Sequence, residues 1–161
     1  MIIKHPLNPI YDAHSKVLIL GSMPSIKSRE MHFYYAHPQN RFWQVLENVF
    51  AEKIIDKEEF LLNKKIALWD VIASCEIKSS DDASIKNVKP NNINKLVKET
   101  NITYIFTTGK KAYELYNKYL YPITKIKAVS LLSTSSANAK YNLKDLIREY
   151  QIIKDYLLRP L

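Results

Sequence analysis

A chain of 161 residues with 47% hydrophobic and 25% charged residues has globular composition and the length of one domain, 1–161, with a real core. Its two glycines, Gly21 and Gly109, exclude a glycine-rich dinucleotide fingerprint and a P-loop, and the lone Cys75 excludes an internal disulfide, a Cys-ligated cluster and a Cys-rich zinc site. The net charge of +8, from 24 basic and 16 acidic residues, invites a polyanionic partner, although lysines in an Asn-, Ile- and Tyr-rich chain are also what AT-rich coding produces by itself.

No apolar run approaches the ~20 residues of a membrane span. The start, Met1 to Pro6, lacks the apolar stretch of a leader, so a cytoplasmic protein is expected. Four short apolar runs rich in β-branched residues follow: 16–21 (KVLILG), 65–72 (KIALWDVI), 102–107 (ITYIFT) and 126–132 (IKAVSLL). Near-continuous apolar runs of this length are the mark of strands buried on both faces of a parallel sheet. Helical periodicity marks 41–50, 91–99, 110–120 and 143–158, the last with Asn142 and Asp145 spaced as a capping box. Strands alternating with helices predict an α/β layered fold, in which ligands bind beyond the carboxyl ends of the strands.

The residues after each strand therefore carry the functional reading. The first strand is followed by Gly21-Ser22-Met23-Pro24-Ser25 and then by a dense segment from Tyr34 to Trp43. Within it, Asn40 reads first as a helix cap and second as an amide placed to hold a water or an anion. His37 before Pro38 reads as a turn former. Asp70 is a carboxylate inside an apolar strand, costly to bury without a partner and able to accept an N–H from a ligand. The third strand leads through Thr108 and Gly109 into Lys110 and Lys111, whose charges oppose a helix dipole unless an anion lies nearby. The fourth leads into Ser133-Thr134-Ser135-Ser136-Ala137-Asn138-Ala139-Lys140, small hydroxyl residues suited to phosphates.

Taken in order, HPLNPIYDAHSKVLILGS (5–22) with its GSMPS (21–25), YYAHPQNRFW (34–43), LWDVIASC (68–75), SSDDASI (79–85) and LLSTSSANA (131–139) resemble the uracil-DNA glycosylase superfamily. Within it they resemble the hypoxanthine-DNA (deoxyinosine) glycosylase branch. The chain departs from that pattern at Leu132 and Ser136, where the family usually has proline, and at Thr108, where it usually has asparagine. No residue matches the catalytic aspartate of the uracil-specific branch.

The resemblance implies a three-layer α/β/α sandwich around a short four-stranded parallel sheet. It implies a monofunctional glycosylase of base excision repair, needing neither cofactor nor metal. The expected partner is double-stranded DNA carrying a deaminated or mismatched base, met by a monomer. Asn40 would position the water, its carbonyl orienting the nucleophile. The 21–25 loop would lie against the sugar, and Asp70 would accept the N–H of the flipped base. Tyr34 or Tyr35 would pack on that base beside Thr108. Ser133, Thr134 and Ser135 would grip phosphates, with Asn138 and Lys140 toward the minor groove. The alternatives are a mismatch-directed G·U/G·T glycosylase and a non-catalytic DNA-binding module. A Ser22/Ser25–His37 hydrolase lacks the G-x-S-x-G elbow, and His32 with His37 makes a weak metal pair.

Overall fold

Five consecutive buried residues, Val17–Gly21, form the strand around which the rest is layered. A computed structural model describes residues 1–78 and 82–160. In chain order the elements are β1 (Ile2–Lys4), β2 (Val17–Gly21), α1 (Ile26–Met31), α2 (Phe42–Phe50), α3 (Lys57–Asn63), β3 (Ile66–Asp70), β4 (Ile72–Glu76), β5 (Lys86–Pro90), α4 (Ile93–Lys98), β6 (Tyr104–Thr108), α5 (Lys110–Tyr119), α6 (Tyr121–Thr124), β7 (Ala128–Leu131) and α7 (Leu143–Leu157). Of the 79–85 loop singled out above, residues 79–81 lie outside the described residues. Among the described residues no helix is long and apolar enough to cross a membrane.

The four apolar runs become a parallel sheet in the order β3-β2-β6-β7. Alternate residues of β2 feed two separate cores, as a period of two requires. Val17 and Ile19 pack with Val45 and Leu46 of α2, Phe60 of α3 and Tyr150 of α7. Leu18 and Leu20 pack with Ile93 and Leu96 of α4 and with Leu115 and Tyr116 of α5. This is the expected three-layer α/β/α sandwich with a four-stranded parallel sheet. Burial on both faces explains why these runs show no polar alternation.

The 65–72 run departs from the single strand its composition predicts. Parallel pairing with β2 ends at Asp70, opposite Gly21, and after Val71 the chain enters β4, which belongs to a second sheet in the order β1-β4-β5. That sheet is antiparallel. Asn91 holds the break: its Nδ2 donates to Asp70 O at 2.9 Å and Ile72 O at 3.2 Å, and its backbone N–H donates to Val71 O at 2.8 Å. One amide thus satisfies carbonyls that the change of sheet removes from a regular ladder. The short helices α1, α3 and α6 also lie outside the predicted periodicity.

At the other end of the chain, Asn142 accepts from the Asp145 N–H at 2.9 Å and Asp145 accepts from the Asn142 N–H at 3.0 Å, so the capping box forms as read. Asn142→Ala is expected to lower stability by about 1 kcal/mol in urea denaturation.

Candidate active site

The parallel register places Asp70 beside Gly21 at the carboxyl edge of the sheet. Asp70 is only 4% exposed, so its charge needs a partner. That partner is His5, which follows β1 and whose Nε2 lies 2.7 Å from Asp70 Oδ2. The carboxylate can only accept, so Nε2–H is the donor. The opposite ring nitrogen rests on the Leu7 backbone, 3.2 Å from its N and 2.9 Å from its O. The second carboxylate oxygen, Oδ1, takes no donor among the described residues. It lies 2.5 Å from where a β-carbon on Gly21 would stand, so only glycine fits there.

Asp70 lines a cleft of about 1030 Å³ at this edge of the sheet. Asn40, Thr108, Ser133, Thr134, Ser135 and Asn138 line it too, as do Tyr34, Tyr35 and the 21–25 loop. The strand-end residues picked from sequence therefore converge, with one exception. Lys140 is not in the cleft; it is exposed and its ammonium lies 5.6 Å from the centre of the Tyr141 ring.

The two tyrosines separate clearly. Tyr34 is 3% exposed, its hydroxyl donates to Asn8 O at 2.8 Å, and its carbonyl accepts from Trp43 Nε1 at 3.0 Å. Tyr35 is half-buried at φ 51°, a left-handed conformation that strains a bulky residue. Its ring stacks on Phe42 at 3.9 Å between centroids and 12° between planes. Its hydroxyl pairs with Thr108 Oγ1 at 2.9 Å, beside Gly21. Burial first, and then the charge of Asp70, push both phenols well above their usual range, so both remain O–H.

Asn40 accepts two hydrogen bonds on Oδ1, from the Phe42 backbone N–H at 2.9 Å and from the Thr134 hydroxyl at 2.8 Å. The backbone donor fixes which end of the amide is oxygen. Asn40 therefore does brace the start of α2. The carbonyl expected to orient a water already accepts twice here, which leaves the amide Nδ2–H group without a hydrogen bond among the described residues. Thr134 is likewise engaged. It is 1% exposed, and its hydroxyl anchors Asn40 instead of reaching a phosphate. Asn138 gives its Nδ2 to Ser133 O at 3.0 Å, which ties the loop to itself.

One side chain that sequence reading passed over organises this loop. The Arg41 guanidinium donates to Thr134 O (3.3 Å), Ser135 O (2.9 Å), Asn138 O (3.2 Å) and Tyr141 O (2.5 Å), while its backbone N–H also reaches Thr134 O at 3.1 Å. Its partners are all backbone carbonyls, which leave no side-chain signature. One departure from the family pattern, Leu132, is also accommodated. Leu132 donates its N–H to Glu149 Oε1 at 3.3 Å, a bond that proline could not make. Burial raises the Glu149 carboxyl above its usual range, and the Leu132 N–H opposes that shift. On the opposite rim, Gly109 at φ 90° leads into α5 with no side-chain cap, so the helix opens toward the cleft with Lys110 and Lys111.

Comparison with known proteins agrees with this geometry. The profile of the uracil DNA glycosylase superfamily matches residues 9–154. A hypoxanthine DNA glycosylase of Methanosarcina barkeri is 33% identical over 146 residues, 85% of this chain and 89% of that protein. One from Methanosarcina acetivorans is 30% identical over 149 residues, 88% and 92% of the respective chains. The solution NMR structure of a proposed uracil DNA glycosylase from M. acetivorans superimposes with a TM-score of 0.83 at 28% identity, covering 99% of this chain and 100% of the other. The chain belongs to the uracil DNA glycosylase superfamily, and it is a glycosylase hydrolase that acts on DNA.

Two substitutions probe the framework. Gly21→Ala is expected to displace the Asp70 carboxylate and lower stability by roughly 1–3 kcal/mol, the range for overpacking, measured by thermal unfolding. Arg41→Gln is expected to cost about 2–3 kcal/mol in urea denaturation and to expose 133–141 to limited proteolysis.

Proposed function

We propose that the protein hydrolyses the N-glycosidic bond of deoxyinosine in double-stranded DNA, releasing hypoxanthine from an extruded nucleotide. The observation that carries this reading is Asp70 in the lining of the cleft, with Oδ2 held by His5 and no donor on Oδ1 among the described residues. A carboxylate there accepts the N1–H of hypoxanthine and repels the N1 lone pair of adenine. Both curated relatives named for hypoxanthine support the same choice. Uracil presents an equivalent N3–H, and the solved neighbour is described as a proposed uracil DNA glycosylase, so a mismatch-directed uracil or thymine glycosylase is the second reading.

The chemistry asks little of a base. Breaking a glycosidic bond develops oxocarbenium character on the sugar, so the incoming water must be placed more than activated. Asn40 Nδ2 donates to one lone pair of that water and leaves the other for the anomeric carbon; as the C–N bond breaks its electron pair goes to the base, the proton lost by the water passes to solvent, and the departing hypoxanthine takes one up. Fixed by Phe42 and Thr134, the amide does not have to reorganise as charge develops. The 21–25 loop bounds the sugar side. Tyr35, flat on Phe42, forms the wall against which the base rests, and its hydroxyl with Thr108 limits depth. Hydroxyls of Ser133 and Ser135, with Lys110 and Lys111, meet the phosphates, and Asn138 and Lys140 flank them. The chain acts as a single domain and as a monomer, the base being taken out of the stack before cleavage.

Strand scission after alkali is the direct assay, using labelled duplexes with deoxyinosine, deoxyuridine, G·T or deoxyxanthosine. Deoxyinosine is expected to be cut fastest; no abasic product from any duplex would sink the enzymatic reading of this cleft. Asn40→Ala is expected to slow single-turnover excision by roughly 10²–10³-fold. DNA affinity is expected to fall steeply with salt, and Lys110→Ala or Lys111→Ala each to reduce the log–log slope by about 1.

A further inference from the structure

We propose that His5 decides which bases the site accepts, by holding one oxygen of Asp70 and leaving the other as a fixed acceptor. The inference rests on the deoxyinosine reading and concerns a residue that never touches the base. Deamination of adenine changes the sense of one hydrogen bond: a ring nitrogen that accepts becomes one that donates. A buried carboxyl group discriminates between them only while it stays ionised and does not turn. As a protonated acid it would donate from Oδ1 and welcome adenine.

Among the described residues, His5 is the one group that hydrogen-bonds the Asp70 carboxylate, at 2.7 Å to Oδ2. The other polar groups nearby are committed elsewhere. The Tyr34 hydroxyl goes to Asn8 O, and the Tyr35 hydroxyl is paired with Thr108 Oγ1. The lysines and arginines form no ion pair with Asp70 among the described residues; its recorded ionic partner is His5. The imidazole is itself immobile, with a side chain only 3% exposed and its far edge against Leu7. Oδ1 fills the space that a side chain on Gly21 would take, 2.5 Å from the position of its missing β-carbon. The His5 ring thus presents a fixed donor to one oxygen, and the other oxygen can serve only as an acceptor for the ligand.

The test measures a ratio, because loss of fold or of general activity lowers both of its terms together. Affinities are measured for duplexes carrying 2′-fluoro-deoxyinosine or 2′-fluoro-deoxyadenosine, whose glycosidic bonds resist cleavage. Single-turnover excision of deoxyinosine is followed in parallel. Wild type is expected to prefer the inosine analogue, and His5→Leu to narrow that preference by roughly 10–100-fold, the scale of one hydrogen bond to a charged group. His5→Gln, which keeps an N–H donor at this position, is expected to retain the preference within roughly 3-fold. An unchanged ratio in His5→Leu, or a His5→Gln as indiscriminate as His5→Leu, would overturn the proposal.

Should His5→Leu fail to fold, two-bond ¹H–¹⁵N correlation spectra of the wild-type histidines decide instead. They are expected to show His5 Nε2 carrying a proton, with that signal shifted in Asp70→Asn; an unprotonated Nε2 overturns the inference. These spectra use the free protein and need no substrate. Absence of excision from every duplex, with the Nε2–H signal present, would instead count against the deoxyinosine reading alone.

Discussion

A carboxylate buried at the end of a central strand is the constraint on which the rest of the site depends. Removing a charge of this size from water costs several kcal/mol unless hydrogen bonds replace the solvent. Around Asp70 that requirement accounts for several otherwise unrelated residues. His5 supplies the donor. Gly21 is glycine because the carboxylate occupies the space a side chain would need. Two tyrosines stay protonated partly because the charge lies close to them. Asn91 braces the backbone where the strand that carries Asp70 changes sheets. What this arrangement leaves over is one oxygen of Asp70 with no donor among the described residues.

The second half of the site is built on the opposite logic. Asn40, Thr134 and Arg41 form a chain of contacts that joins the start of α2 to the loop after β7. A buried threonine hydroxyl holds the amide, and a guanidinium holds the threonine's own carbonyl. The Asn40 amide and the loop after β7 are therefore one mechanical unit. Displacement of either end would be transmitted to the other through bonds about 3 Å long.

Much of the architecture was legible in the sequence because buried parallel strands leave a distinctive trace. The four apolar runs gave the sheet, and the rule that ligands bind at carboxyl ends brought Gly21, Asp70, Thr108 and Ser133 together before any coordinates did. The small sheet was not legible. β1 has three residues, and β5 reads KNVKP with only its valine half-buried, so neither carries a period. His5 was invisible as a partner because it lies 65 positions from Asp70. Adjacent Tyr34 and Tyr35 could not be told apart, since what separates them is a left-handed backbone at Tyr35 that no composition rule predicts there. Arg41 hid in a different way: a side chain satisfied by main-chain carbonyls has no complementary residue type to search for.

That last feature sets how the protein responds to its ionic surroundings. Attraction between lysines and phosphates is screened within about 10 Å at ordinary salt. A guanidinium held by carbonyl dipoles at hydrogen-bond distance, in no ion pair among the described residues, offers counterions nothing to replace. Nor does protonation of a partner weaken it, because amide carbonyls do not titrate. Ionic strength thus acts on the encounter with DNA while the geometry around Asn40 is left intact. Salt governs how often the cleft is filled, and the cleft itself is assembled by interactions that salt does not reach.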